Sequence, residues 1–465
     1  MRLSLRSFLT LFCFLIFILG IAFEFGCVHR TSRSYEWNSN SPLAGPKPTT
    51  VVVLLIDGLG LSVFDELDQQ ALLPNLRSFF GETRFSVRSV FPSLTFPNIS
   101  SLLTSRPMGA HPVSGNKVQW VDSEVLNFES PVDMPQLQEI LKPQTLFEKL
   151  RQKHLRSWSL SYSFNFGSPT ILRTNIGAGL QYVGEDYDKL DADTLRQSLH
   201  AFERLGRDQW PSFVFIHLIG LDAVSHLYGP YSPQAVSYLQ NLDRQLQPLL
   251  RWLDKNDSTQ RSITTLMLSD HGFEKVSKTF EIENVIETLV PRNHPTPLIL
   301  NEMRMAALHF TKRWSANAKL ALAQALSQNP DVQAVLTRIG NSQIHLNLKD
   351  RLDILELVPG QSCRPYSFAI RYQSRVTCSQ VLDLQAPQRD LYKLFENAGA
   401  YFSAESSPDM VILAANGVGF AKQYLGQHGG MTAEELKTPI LMRNSVVTAG
   451  SSEIPIYEIL ESFSF

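Results

Sequence analysis

The sequence predicts an α/β fold: a doubly wound, mostly parallel sheet flanked by helices, with a small inserted α+β subdomain. Runs of β-branched and apolar residues, of which TVVVLLI is the first, alternate along the chain with amphipathic helical patterns. Strands that are apolar on both faces are typical of a parallel sheet with helices on each side. Acidic and histidine residues follow several of these runs, at the strand ends where such sheets collect functional loops.

The composition of the chain is that of an ordinary globular protein. It has 465 residues, 43% of them hydrophobic, and a formal net charge of -2. This length can bury one large core and a smaller one. A near-neutral charge argues against nucleic-acid binding, which usually needs a basic surface. The sequence does not predict the oligomeric state.

The N-terminal segment has the pattern of a targeting sequence. Arg2 and Arg6 precede an uncharged apolar run that is short for a membrane span but suits a signal-peptide core. We therefore expect residues 1–27 to be a signal peptide or a retained membrane anchor, and the protein to be exported to the periplasm or the extracellular space. Cys27 leaves a lipoprotein cleavage site open as an alternative. Residues 28–49 are rich in Ser, Asn and Pro and are expected to form a tether.

The remaining patterns divide the chain into a main domain and an insert. The strand runs TVVVLLI, SWSLSYSF, PSFVFIHLIG, SITTLMLSD and DMVILAANG are assigned to the main sheet. The main domain accordingly comprises residues 50–297 and 401–465. After the linker-like PRNHPTP, short strand and helix patterns such as RMAALHFTK and AKLALAQALSQ predict an inserted α+β subdomain over residues 298–400.

Two cysteines, Cys363 and Cys378, lie in the predicted insert. In an oxidising compartment they can form a disulfide, which would add about 3 kcal/mol of stability in the chain-entropy model. Two unrelated buried thiols are the alternative. The segment between them, RPYSFAIRYQSRVT, has the pattern of a strand with its turn, so we expect a bridge rather than a metal site.

One hydroxyl is conspicuous in VFPSLTFPNISSLL, where Thr95 separates Leu94 from Phe96 at the predicted start of a helix. Unpaired N–H groups at a helix N-terminus favour an anion there. The structural alternative is a helix cap, a role for which Thr, Ser and Asn are favoured. This stretch alone favours the cap, so any catalytic role for Thr95 depends on the rest of the chain.

Acidic and imidazole side chains occur together at four predicted strand ends or loops. They come from IDG, GLDAVSH, MLSDHG and GQHGG, and in the second of these the two residues are four apart, on one side of a helical turn. Each could be a turn, cap or loop residue, and His217 and His294 are interpreted in that way. Their coincidence favours a metal site, and six ligands suit two ions better than one tetrahedral ion. The predicted ligands are Asp57, Asp222, His226, Asp270, His271 and His428, with Thr95 beside them.

With these motifs assembled, the chain resembles the alkaline phosphatase superfamily, and within it the nucleotide pyrophosphatase/phosphodiesterase branch. FPSLTFPN resembles the family motif FPTKTFPN, whose last Thr is the nucleophile, which implies that role for Thr95. TSRPMGAHPVSGN resembles TGLYPESHGIxxN, which implies that Asn116 helps to hold a phosphoryl oxygen. GLDAVSHLYGPYSP and SDHGF resemble the zinc-binding motifs, which implies two zinc ions held by the predicted ligands and by Thr95.

Three departures from the family motifs leave the ligands intact but bear on the substrate. Leu94 replaces a Lys, Ser225 replaces a Gly, and Pro112 follows His111 in place of a Gly. The aromatic stretch SLSYSFNF lies where relatives build a wall for a base or leaving group, and it could equally belong to the core. No Arg is obviously placed to bind a second pair of phosphate oxygens, which favours phosphodiesters over monoesters.

The resemblance implies a metal-dependent hydrolase that cleaves phosphodiester or pyrophosphate bonds in a small phosphorylated substrate through a covalent phosphothreonine. Asn116 and the backbone N–H after Thr95 would stabilise the oxygens on phosphorus. The alternatives are a phosphoethanolamine-type transferase, a phosphomonoester or phosphonate hydrolase of the same superfamily, and a non-catalytic scaffold. The complete ligand set argues against the scaffold.

Overall fold

The structure, a computed structural model, describes most of the chain after residue 48. The described residues are 49–81, 84–120, 124–130, 132–161, 163–166, 168, 186–257, 263–349, 351–363, 366–372, 375–377, 391, 393–444 and 453–463. The predicted leader, nearly all of the predicted tether and Cys378 lie outside these residues, and so does the predicted disulfide. Within this described part, no helix is both long and apolar enough to cross a membrane.

The strands, in chain order, are β1 Thr50–Ile56, β2 Arg84–Arg88, β3 Lys117–Gln119, β4 Val125–Asn127, β5 Ser157–Leu160, β6 Phe213–Leu218, β7 Ile263–Leu268, β8 Glu274–Lys275, β9 Lys278–Thr279, β10 Leu298–Glu302, β11 Met305–His309, β12 Val332–Ile339, β13 Gln343–Leu348, β14 Arg351–Cys363, β15 Tyr366–Tyr372, β16 Arg375–Thr377, β17 Met410–Ala414, β18 Val418–Gly419, β19 Gly426–Gln427, β20 Lys437–Arg443 and β21 Glu453–Pro455.

The helices, in chain order, are α1 Leu61–Gln69, α2 Pro74–Phe80, α3 Thr95–Thr104, α4 Met134–Ile140, α5 Leu146–Gln152, α6 Tyr187–Glu203, α7 Gly220–Tyr228, α8 Pro233–Asn256, α9 Ile282–Leu289, α10 Ala316–Ser327, α11 Leu394–Phe402 and α12 Ala433–Leu436. Short 3-10 turns span Arg207–Gln209 and Ile456–Glu458.

Within the described residues, seven strands form the central sheet, in the order β21-β2-β20-β7-β1-β6-β5. The strand β1 pairs in parallel with both β6 and β7, and β5 extends the parallel set beyond β6. Among the described strands of this sheet, β20 alone runs antiparallel to its neighbours. Residues of β1, β6 and β7 are buried throughout, because helices cover both faces of the sheet. The predicted doubly wound, mostly parallel sheet is therefore confirmed.

Alternate residues of β1 enter two different apolar cores, one on each face of the central sheet. Val52 and Leu54 pack with the helices α1, α2, α6 and α8. Val51 and Val53 pack on the opposite face with α3 and α5. Successive side chains of a strand point to opposite faces, so an uninterrupted apolar run is what a sheet covered on both sides requires.

Eight strands form a second sheet, in the order β10-β11-β17-β12-β13-β14-β15-β16, and every pairing in it is antiparallel. Helix α10 packs on one face through Leu322, Ala323 and Leu326. The other face shares a core with the central domain, since Leu300 and Leu336 belong to the same cluster as residues of α3. The two sheets therefore share one apolar core, to which α3 also contributes.

The assignment of the run DMVILAANG to the main sheet is wrong. This run forms β17, which lies between β11 and β12 in the second sheet and is antiparallel to both. All of β17 is buried. An apolar run predicts that both faces of a strand are covered without saying which sheet it joins. The chain returns to the central sheet only at β20, and the division at residues 298 and 400 remains a prediction.

Candidate active site

The carboxyl ends of β1, β6 and β7 bring five of the six predicted ligands to one edge of the central sheet. Asp57 follows β1 directly, and Asp270 and His271 come just after β7. Asp222 and His226 lie on α7, which begins at the carboxyl end of β6, and their Oδ2 and Nε2 atoms are 3.5 Å apart. Because the three strands are parallel neighbours, their carboxyl ends meet.

The sixth predicted ligand, His428, lies in a loop that is tied to the segment before α3. The carbonyl of Ser93 accepts a hydrogen bond from His428 Nδ1 at 2.7 Å. The Ser93 hydroxyl accepts from Gly429 N at 2.9 Å and donates to the Gly430 carbonyl at 3.0 Å. These bonds fix the loop of His428 relative to Thr95, two residues beyond Ser93.

Thr95 begins helix α3 but does not cap it. The N-cap position belongs to Leu94, and no side chain caps this helix. Thr95 is partly exposed, whereas the other residues from Val87 to Thr104, all of them described, are buried. Its Oγ1 lies 3.2 Å from His271 Nε2. The structural alternative of a helix cap therefore fails, and the hydroxyl faces the candidate ligands.

The six predicted ligands form one cluster, and its three imidazoles share one hydrogen-bonding pattern. Each Nδ1 contacts a backbone carbonyl: His226 that of Gly426 at 3.0 Å, His271 that of Gly272 at 3.2 Å, and His428 that of Ser93 at 2.7 Å. A carbonyl only accepts hydrogen bonds, so each Nδ1 carries a hydrogen. The Nε2 atoms consequently point into the cluster, which is the arrangement that orients histidines as metal ligands.

Burial and neighbouring charges determine which imidazoles are protonated. Burial lowers the pKa of His226 to about 4 and also lowers that of His428, so both are neutral near pH 7. Their Nε2 lone pairs face each other at 3.1 Å, a geometry that suits two ligands of one cation. Burial opposes protonation of His271 as well, but Asp270 and Asp57 raise the pKa of His271 to about 10. A ligating imidazole is neutral, so metal binding would release that proton.

Three carboxylates face these nitrogens, and one oxygen of each is buried without a hydrogen-bond partner: Asp57 Oδ1, Asp222 Oδ1 and Asp270 Oδ2. The first lies 3.3 Å and the third 3.5 Å from His271 Nε2, and the second lies 3.7 Å from His428 Nε2. Donor atoms fall into two groups within 4.8 Å, namely Asp57 with Asp270 and His271, and Asp222 with His271 and His428. Buried, unpaired carboxylate oxygens are costly unless they coordinate a cation, so the donor set fits metal ions.

Asn116 lies against the first turn of α3 with its amide held at both ends. Its Oδ1 accepts from Phe96 N at 3.2 Å, and its Nδ2 donates to Glu129 Oε1 at 2.9 Å. These partners fix the orientation of the Asn116 amide. The Phe96 N–H must bond to the amide oxygen, and the Glu129 carboxylate must accept from the amide nitrogen. The backbone N–H after Thr95, expected to stabilise phosphoryl oxygens, therefore bonds to Asn116. Glu129 was not identified from the sequence, and no pattern around it marks the contact.

One histidine that the sequence analysis treats as structural touches the cluster. His217 lies near the carboxyl end of β6, is 4% exposed, and places its Nε2 2.8 Å from Asp57 Oδ2. Its structural interpretation is therefore incomplete. The sequence contained one signal for this contact. His217 is a polar residue in an otherwise apolar strand, at the edge of the sheet where the ligands converge. His294 lies elsewhere, with its ring 4.6 Å from that of Trp314.

The aromatic stretch SLSYSFNF contributes to the core. Phe164 and Phe166 are buried, and the ring of Phe164 lies 5.1 Å from that of Phe96. Phe96 follows Thr95 and also contacts Phe128 at 5.6 Å. For Phe164 and Phe166, the core alternative holds, and the ring of Phe164 packs against Phe96 at the start of α3.

The fold and the cluster together define an alkaline phosphatase-like α/β protein with a candidate metal centre. The chain belongs to the type I phosphodiesterase / nucleotide pyrophosphatase family, whose sequence profile matches residues 51–438. The superfamily is metal-dependent, which agrees with the two candidate ligand groups. The family recognised from the motifs is thereby confirmed.

Individual relatives match shorter parts of this chain at low sequence identity. Venom phosphodiesterase CdcPDE of Crotalus durissus collilineatus is 23% identical over 242 residues, 50% of this chain and 27% of the relative. GPI ethanolamine phosphate transferase 2 of Schizosaccharomyces pombe is 26% identical over 162 residues, 32% of this chain and 21% of the relative. The chain thus aligns with about a quarter of the length of these relatives.

A solved structure shows the same fold. It is phosphonoacetate hydrolase from Sinorhizobium meliloti 1021 in complex with phosphonoformate, with a TM-score of 0.54 and 15% sequence identity. The superposition covers 89% of this chain and 94% of that one, so both sheets take part in the likeness. At this identity the match supports the architecture alone.

Proposed function

We propose that this chain is a metal-dependent hydrolase that cleaves phosphodiester or pyrophosphate bonds, with Thr95 as its nucleophile. The observation that carries the proposal is the position of Thr95 Oγ1, 3.2 Å from His271 Nε2, the same nitrogen that lies 3.3 Å from the buried Asp57 Oδ1. A partly exposed hydroxyl at the N-terminus of a helix, next to a site for cations, is where a phosphoryl group would bind. Membership of the phosphodiesterase family supports the reaction class.

The cofactors we propose are two zinc ions. Asp222, His226 and His428 would hold one ion, and Asp57, Asp270 and His271 would hold the other, with Thr95 beside the second. Imidazole nitrogens combined with carboxylate oxygens are typical zinc ligands. A bound pair of such ions supplies activation of a nucleophile and stabilisation of the leaving oxygen at phosphorus.

The residues of the chain carry the two proposed displacements. Thr95 Oγ1 forms a bond to phosphorus while the bond to the leaving oxygen breaks, which gives a phosphorylated Thr95 that still carries the other ester group of the diester. Water then attacks the same phosphorus and releases Thr95, so the configuration at phosphorus is retained overall. Asn116 donates its remaining Nδ2 hydrogen to a non-bridging oxygen, while Phe96 N and Glu129 keep its amide in place.

A phosphodiester is the expected substrate rather than a phosphomonoester. Glu129 accepts a hydrogen bond at 2.9 Å from Asn116, the residue proposed to hold a non-bridging phosphoryl oxygen. A carboxylate at this position repels the dianion of a monoester more strongly than the monoanion of a diester. Zinc-loaded protein should hydrolyse a nitrophenyl ester of a nucleotide monophosphate at least about tenfold faster, by kcat/KM, than nitrophenyl phosphate, a difference of about 1.4 kcal/mol. Faster hydrolysis of nitrophenyl phosphate would instead indicate a phosphomonoester hydrolase. Faster hydrolysis of a nitrophenyl phosphonate would indicate a phosphonate hydrolase.

A phosphoethanolamine-type transferase is the second candidate, and the similarity to a GPI ethanolamine phosphate transferase favours it. The first displacement is the same in both reactions, and only the acceptor of the group held on Thr95 differs. The two are separated by supplying a glycolipid acceptor and measuring the products. A transferase forms the new lipid ester, whereas a hydrolase releases the free phosphorylated product at an unchanged rate.

We also propose that residues 1–27 direct export of the protein or anchor it in a membrane. The protein then encounters its small phosphorylated substrate outside the cytoplasm. The basic residues and the apolar run of this segment support the proposal. Cell fractionation with N-terminal sequencing of the mature protein tests it. Recovery of the full-length chain from the cytoplasm would exclude both export and anchoring.

A further inference from the structure

Asp57 divides its two carboxylate oxygens between different surroundings. Oδ2 lies 2.8 Å from His217 Nε2, whereas Oδ1 is buried without a hydrogen-bond partner and lies 3.3 Å from His271 Nε2. An ionised carboxylate can only accept, so His217 donates from Nε2. His217 thus binds Oδ2 by a hydrogen bond, and Oδ1 faces the other candidate metal ligands.

His217 is itself held by a hydrogen bond at its other nitrogen. Nδ1 lies 3.3 Å from the Ser161 hydroxyl, which accepts from Phe164 N at 3.2 Å and from Ser163 N at 3.3 Å. Because the Ser161 oxygen already accepts from two backbone N–H groups, its own hydrogen is left to donate to Nδ1, which is therefore the acceptor. The hydrogen bonds therefore run in one direction, from Ser161 through His217 to Asp57.

This orientation distinguishes His217 from the three imidazoles of the cluster. Those point Nε2 into the cluster and carry their hydrogen on Nδ1, whereas His217 directs an N–H at a carboxylate oxygen. Its ring is packed by Phe164 and Phe215, with centroids at 5.8 Å and 6.2 Å. His217 is consequently a fixed donor and not a ligand.

We propose that His217 is a positioning residue that determines which oxygen of Asp57 binds the metal ion. By occupying Oδ2, it leaves Oδ1 as the single oxygen available to the cation, on the side of His271. Loss of the donor would free the carboxylate to rotate and would leave Oδ2 buried without a partner. Hydrogen bonds behind metal ligands typically contribute 10- to 100-fold to metal affinity. The inference rests on the proposed two-metal site.

The test compares zinc binding by metal-free wild type, His217→Phe and His217→Gln, titrated against a competing chelating dye. Phe keeps a planar ring but removes the donor, and Gln retains an N–H near the position of Nε2. We expect the wild type to bind two ions, and His217→Phe to bind one of them about 10- to 100-fold more weakly with the other unchanged. His217→Gln should restore most of the lost affinity. His200→Phe, an exposed histidine on α6, is the matched control and should bind as the wild type does.

Each outcome has a separate meaning. Wild-type affinity for both ions in His217→Phe would overturn the positioning role. A wild-type protein that binds no zinc would instead overturn the proposed metal site. Where circular dichroism shows that His217→Phe does not fold, Ser161→Ala takes its place, because it removes the bond to Nδ1, together with the two bonds that the hydroxyl accepts from Ser163 N and Phe164 N. A smaller loss of affinity at the same ion is then expected, and an unchanged affinity overturns the inference.

Discussion

Replacing Thr95 with Ala is expected to lower kcat/KM for a phosphodiester by at least about 10³-fold, because no other residue supplies the attacking oxygen in the proposed reaction. Both metal ions should remain bound, since Asp57, Asp270 and His271 keep their positions. The measurement combines steady-state kinetics with metal analysis of the same preparation. Rapid acid quenching of the wild type during turnover should also trap on Thr95 the phosphoryl group with its retained ester substituent, detectable by mass spectrometry.

The matched control is Thr95→Ser, which keeps a hydroxyl at the same position. It should retain a measurable part of the activity and should still form the phosphorylated intermediate. Undiminished turnover by Thr95→Ala would exclude Thr95 as the nucleophile. Loss of both activity and metal would instead mean that the substitution disrupted the cluster.

Replacing Arg304 with Met is expected to lower the free energy of unfolding by about 3–5 kcal/mol, because it leaves the Glu435 carboxylate buried without its cation. Arg304 is 1% exposed, Glu435 is 0% exposed, and their Nε and Oε1 atoms lie 3.0 Å apart. Glu435 Oε1 also accepts from Gly430 N at 2.7 Å, in the loop that carries His428. Urea denaturation followed by circular dichroism measures the change.

Arg371→Met provides the comparison for a solvent-exposed pair. Arg371 and Glu356 form an ion pair at 2.6 Å with side chains 44% and 38% exposed. Pairs of this kind typically contribute about 0–1 kcal/mol, so little change in unfolding free energy is expected. Equal effects of the two substitutions would show that burial of the Arg304 pair does not determine its contribution.

The turn between β10 and β11 connects the second sheet to the candidate active site. Glu302 accepts from Lys117 N at 2.6 Å, next to Asn116, and Arg304 N donates to the His428 carbonyl at 3.1 Å. Burial raises the pKa of Glu302 to about 8. One turn of the second sheet therefore supports both the strand after Asn116 and the loop of His428, so this sheet helps to build the site.

The sequence predicted the parts of the site that depend on local pattern. A spacing of four residues places Asp222 and His226 on one side of a helical turn, and α7 has that geometry. Parallel strands bring their carboxyl ends together, so the convergence of Asp57 with Asp270 followed from the predicted sheet. Each of these inferences needs only the local chain and the topology of the fold.

The remaining contacts depend on packing between distant residues. His217 and Asp57 are 160 positions apart, and Arg304 and Glu435 are 131 positions apart. No periodicity encodes such a pair, since each residue lies in a segment that forms for other reasons. The same limit explains β17, whose apolar residues suit either sheet and whose partners are set by the antiparallel neighbours β11 and β12.

Anomalous X-ray scattering at the zinc absorption edge, from crystals of zinc-loaded protein, tests the proposed two-metal centre most directly. We predict two peaks about 3.5–4 Å apart. One should lie among Asp222, His226 and His428, and the other among Asp57, Asp270 and His271, with Thr95 Oγ1 at the second peak. A single peak remote from Thr95, or none in protein that binds zinc in solution, would contradict the proposed centre.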